Sequence, residues 1–237
     1  MIVVTASIIG FISGFSLLFI TSRLLKSFSL SAGFSPRTML HIPKFPKAFA
    51  STSKKAVKLR RLWLRLIGQS TIYAAVFAAA FAVLFTFLPT WQATFLALML
   101  LTVALAGLID LKVWLLPDFL TIPLLIAGFA VSYFFQPLAT IENSIFGAIY
   151  AYLLPLFTTL FMQKYKANPL GGGDVKMMAA LGTWLGFELF NIALVISFVF
   201  FLFLVWQRKS KVAPFGPALA PAVLVTVIGK VLLDSLG

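Results

Sequence analysis

The feature that most constrains this chain is a succession of apolar runs, each close to the length that crosses a lipid bilayer. The stretch "TIYAAVFAAAFAVLFTFLP" (71–89) holds no charged residue. A helix of about 20 apolar residues spans the hydrocarbon core. Candidate spans are 2–22, 71–89, 91–109, 119–136, 142–162, 175–187, 188–206 and 217–236. In lipid, backbone polar groups must pair within the protein, and a helix does so within itself. The expected fold is therefore an all-α, polytopic membrane bundle of about eight transmembrane helices. Seven is the fallback, because the sixth span is short and the eighth carries Pro217, Pro221 and Lys230. Composition agrees. The chain is 61% hydrophobic and 11% charged, against roughly 45–50% and about 25% for soluble domains.

The N-terminal stretch "MIVVTASIIGFISGFSLLFI" has no basic segment before its apolar run and no small-x-small cleavage site. It is expected to be a retained first span rather than a signal peptide.

The net charge of +13 would suit a nucleic-acid partner, but its distribution argues otherwise. Most of it sits in one loop between spans, residues 23–66, where it reads as a topology signal and a contact for anionic lipid. With eight spans, every Lys and Arg except Lys230 falls on the side of that loop. By the positive-inside rule that side is the cytoplasm. Glu142, Glu188 and Asp234 then lie on the outer face, and Asp110, Asp118 and Asp174 on the cytoplasmic face, next to span ends. The loop begins with an irregular Ser-, Pro- and Lys-rich tract. It ends in "KKAVKLRRLWLRLI", which fits either a basic amphipathic helix in the headgroup layer or an anchor leading straight into span two.

The chain has no cysteine, which excludes disulfides and thiolate zinc sites. One histidine, His41, gives no basis for an imidazole metal site or a Ser-His nucleophile. Carboxylate chemistry then rests on the three cytoplasmic-side aspartates. Asp118 follows Pro117 and is well placed as a helix N-cap. Asp110 closes its span, where the negative end of the helix dipole disfavours a carboxylate unless something else requires it. Asp174 follows Gly171, Gly172 and Gly173, which let a backbone approach closely. No Gly-Lys-Ser/Thr follows, so this is not a nucleotide loop. Asp110 and Asp174, if close, would share a proton. One would activate water while the other polarises a carbonyl.

Three blocks resemble the type IV prepilin peptidases, intramembrane aspartic proteases with a G-x-G-D motif: "IDLKVWLLPDFLT" (109–121), "GGGDVKMMAALGTWLG" (171–186) and "PFGPALA" (214–220). The resemblance implies Asp110 and Asp174 as catalytic residues, with Asp118, Gly171, Gly173 and Lys176 supporting. It implies removal of the leader peptide from prepilins or type II secretion pseudopilins, at the cytoplasmic face of the bacterial inner membrane. It implies no cofactor for proteolysis, and partners limited to such substrates and membrane lipids. Many members carry two C-x-x-C pairs that bind zinc; this chain has none, so zinc is not expected. "SGFSLLFITSRLL" keeps Gly14 and Arg23 of the family's first block but lacks its asparagine. S-adenosylmethionine enters only if N-methylation of the new N-terminus is retained. The expected division is 1–70, a first span with its basic loop, and 71–237, the peptidase domain. The other readings of the same aspartates are a proton-coupled transporter and an inactive assembly scaffold.

Overall fold

The computed structural model describes residues 1–32, 54–164, 171–208 and 213–237. His41 and residues 33–53 of the Ser-, Pro- and Lys-rich tract lie outside the described residues, as do Lys166, Lys209 and Lys211; the tract's first residues, 27–32, expected to be irregular, instead continue the first helix. Among the described residues there is no strand, and the helices are α1 (Ile2–Ala32), α2 (Lys54–Phe87), α3 (Thr90–Val113), α4 (Asp118–Phe134), α5 (Ile141–Lys164), α6 (Gly172–Arg208) and α7 (Gly216–Leu236). Six of these contain a stretch long and apolar enough to cross a membrane. The remaining one, α4, is apolar but 17 residues long. The chain divides into two compact units, Met1–Ala82 and Val83–Gly237.

In the first unit α1 packs on α2 through glycines. A Cβ on Gly10 would lie 2.6 Å from the Phe77 carbonyl oxygen, and one on Gly14 would lie 2.5 Å from that of Tyr73. Two glycines four residues apart thus let two backbones touch, the packing favoured where lipid removes the hydrophobic drive between helices. The basic segment "KKAVKLRRLWLRLI" is helical and continuous with the apolar run that follows. It is the anchor leading into span two, and not a separate surface helix.

In the second unit the sixth and seventh expected spans form one element, α6, of 37 residues. A straight helix of that length would measure about 55 Å, nearly twice the hydrocarbon thickness. It is not straight. Gly186 has φ 69° and ψ −175°, a conformation open essentially to glycine alone. Contacts with α5 show the reversal. Gly147 of α5 meets Gly182 before the turn, whereas Tyr150, further along α5, meets Phe187 and Phe190 after it. The first arm (172–185) therefore runs antiparallel to α5 and the second (187–208) parallel to it.

Reversing a helix leaves backbone groups without their helical partners, and neighbouring helices satisfy them here. The Phe187 N–H, which would bond Thr183 O in an unbroken helix, donates instead to Asn143 Oδ1 of α5 at 2.9 Å. The Thr183 carbonyl accepts from Ser132 Oγ of α4 at 3.0 Å. Trp184 Nε1 donates to Leu124 O at 2.8 Å, so α4 runs alongside the first arm. Large apolar side chains such as Phe146, Val195, Phe198 and Leu233 face outward, as a lipid-facing surface requires. Trp114 and Trp206 are exposed near one end of this unit and Trp91 near the other, where amphipathic rings meet headgroups.

Candidate active site

The ends of four helices converge at one end of the second unit: the C-terminus of α3 and the N-termini of α4, α6 and α7. Asp110 lies in the last turn of α3 and is 5% exposed. The helix ends when Trp114 turns left-handed (φ 56°) and donates its N–H to Asp110 O at 2.9 Å. Left-handed backbone is costly for a tryptophan, and it redirects the chain into the short turn before α4. Leu116 in that turn is buried and packs on Gly173: a Cβ there would sit 2.9 Å from Leu116 Cβ. The room that the glycine run provides is thus taken by a side chain of the preceding turn.

Asp174 lies in the first turn of α6. Its N–H donates to Gly171 O at 3.0 Å, so Gly171 closes the helix start. The Asp174 carboxylate turns back beside Gly171, with Oδ2 3.3 Å from where a Cβ would stand. Asp110 and Asp174 lie within electrostatic reach of each other. One is buried and the other half-buried, so the pair stands at the mouth of the helix bundle rather than at its centre.

Asp118 departs from the sequence expectation. Pro117 occupies the N-cap position of α4, and Asp118 is the first helical residue. Its carboxylate instead accepts two hydrogen bonds from Lys176 Nζ, at 2.8 and 2.9 Å. Pro117 fixes the entry of the chain, and the next side chain is left to reach across to α6. The ion pair joins the starts of α4 and α6. Both partners are about half exposed (48% and 56%), and exposed pairs contribute roughly 0–1 kcal/mol. Asp118→Asn or Lys176→Met should therefore lower thermal stability by no more than about 1 kcal/mol, and the reversed pair Asp118→Lys with Lys176→Asp should recover it in a detergent unfolding assay. A loss above about 3 kcal/mol would show a larger role than a screened ion pair can have.

One contact was not foreseen from the sequence. Asp110 Oδ2 accepts the backbone N–H of Gly216, at the start of α7, at 2.9 Å. This donor is what permits a carboxylate at the unfavourable end of α3. Among the described residues, no three His, Cys, Asp or Glu side chains gather as a metal site would require.

The sequence profile of the type IV leader peptidase family matches residues 95–206. The prepilin leader peptidase/N-methyltransferase of Burkholderia pseudomallei (strain K96243) is 37% identical over 127 residues, covering 50% of this chain and 41% of the relative. The protein of the same name from Dickeya chrysanthemi is 39% identical over 140 residues, 55% of this chain and 48% of the relative. That of Pseudomonas aeruginosa is 32% identical over 143 residues, 56% and 49%. The chain spans about half the length of the curated relatives it matches. No solved structure matches it. Asp110, Asp118 and Asp174 all lie within the residues that match the type IV leader peptidase family.

Proposed function

We propose that this chain is a multi-pass membrane aspartic endopeptidase that removes the leader peptide from prepilins or pseudopilins. What supports this reading most is that Asp110 and Asp174, remote in sequence, lie within electrostatic reach of each other at one end of the helix bundle, inside the segment that matches the family. Their place near helix ends suits a peptide presented at the membrane rim. The concentration of lysine and arginine on that side supports the cytoplasmic face of the bacterial inner membrane.

In the proposed reaction one carboxylate takes a proton from water as the water oxygen bonds to the scissile carbonyl carbon. The other, protonated, gives its proton to the carbonyl oxygen. Collapse of the tetrahedral intermediate breaks the C–N bond. The first carboxylic acid passes its proton to the departing amine, and the re-forming carbonyl returns a proton to the second. Gly173 lets α6 close on Leu116, Gly171 closes the helix start beside Asp174, and Asp118 with Lys176 supports the geometry. No cofactor enters these steps.

Purified protein incubated with a leader-bearing prepilin should yield leader and shortened pilin, read by mass spectrometry. Absence of both products with folded protein would defeat the proposal. The relatives' names also carry an N-methyltransferase activity. Mass measurement of the product's N-terminus, with and without S-adenosylmethionine, decides whether this chain shares it.

A further inference from the structure

The hydrogen bond between Asp110 and Gly216 joins residues 106 apart in the chain. Three features show that α7 is built around it. First, the N-terminus of α7 accounts for its own donors. The N–H groups of Ala218 and Leu219 go to Phe215 O at 3.0 and 3.1 Å, and Pro217 has no N–H. The Gly216 N–H is the remaining donor of that first turn, and Asp110 takes it.

Second, position 216 admits no side chain. A Cβ there would stand 2.8 Å from Asp110 Oδ2 and 3.0 Å from Asp110 Cβ. Third, α3 is thinned to match. A Cβ on Gly107, one turn before Asp110, would lie 2.9 Å from Gly216 O. The glycines at 107 and 216 bring the two backbones together beside the carboxylate. The Phe201 and Phe215 rings, 5.9 Å apart, tie the start of α7 to the second arm of α6.

We infer that Gly216 is a positioning residue of the hydrolytic site: its N–H holds Asp110 Oδ2 and leaves Oδ1 as the oxygen that takes and gives a proton. An N–H only donates, so Oδ2 does not carry the shared proton. The start of α7 also presents its positive dipole end to Asp110, opposing the negative end of α3. Every proton that Asp110 takes or gives in the reaction therefore passes through Oδ1.

The inference rests on the peptidase reading, and its test separates the two. Gly216→Ala is expected to lower kcat by at least about tenfold, since small displacements of a reacting group are costly, with KM changed by less than about twofold. Gly229→Ala, on the same helix with nothing within 4 Å of its added methyl, should keep wild-type kcat. If Gly216→Ala does not accumulate, an amide-to-ester replacement at Gly216 deletes the donor, adds no side chain, and carries the same expectation. Independently of activity, the Gly216 amide proton should resonate downfield in the wild type and move upfield in Asp110→Ala. Normal kcat in a folded Gly216 variant, or an amide signal indifferent to Asp110, overturns the positioning role alone. A wild-type protein that leaves the leader uncut overturns the peptidase reading and this role with it.

Discussion

Asp110→Asn and Asp174→Asn should each reduce leader removal by at least about 10³-fold, because in the proposed reaction each deletes one half of a proton exchange that neither side chain performs alone. The two losses should not add. The double variant is expected to be no slower than either single one, as for residues that act as a unit. Both variants should insert and accumulate. In Asp110→Asn the amide oxygen still accepts the Gly216 N–H that Asp110 Oδ2 accepts now. In Asp174→Asn the contact that starts α6 is a backbone bond to Gly171 and is untouched. The measurement is conversion of prepilin by equal amounts of purified, folded protein. Retention of normal cleavage by either variant would show that the assigned pair is wrong.

Much of this arrangement was legible in the sequence, for identifiable reasons. Apolar runs of bilayer length mark helices because lipid admits few other backbones. Six of the helices meet that standard outright. The distribution of charge placed Asp110, Asp118 and Asp174 at one end, and the Asp118–Lys176 pair brings two of those helix starts together. What stayed hidden depends on partners far away in the chain. Asp118 reads locally as a cap, yet it is drawn to Lys176 on another helix. The block "PFGPALA" was recognisable, but a backbone N–H carries no letter, so its bond to Asp110 was not. A buried carboxylate at the wrong end of a helix was the available signal: it called for a donor without naming one. Gly10 and Gly14 likewise look like any small residues until α2 is seen against them.

Gly182→Leu should prevent stable folding of the second unit, a larger structural effect than any substitution at the exposed ion pair. Asp174 is held by the first arm of α6, and that arm sits against α5 where Gly182 meets the backbone of Gly147. A Cβ at 182 would run into the Gly147 carbonyl oxygen, and Ala148 Cα lies 2.9 Å away. These are helix backbone atoms, which cannot rotate aside as a side chain would. The arm must therefore move away from α5, and the adjoining contacts move with it: Thr183 with Ser132, Trp184 with Leu124, and the Phe187 N–H with Asn143. Overpacking alone costs about 1–3 kcal/mol. Stranding buried polar groups adds about 1–3 kcal/mol for each group left without a partner. The expected sum is about 4 kcal/mol or more, enough to unfold a marginally stable domain. Membrane accumulation and thermal unfolding in detergent measure it, with Gly229→Leu as the control, since nothing lies within 4 Å of a Cβ there. A Gly182→Leu protein that unfolds at the wild-type temperature would mean that the first arm does not pack on α5 at this distance. The placement of Asp174 would then have lost its structural support.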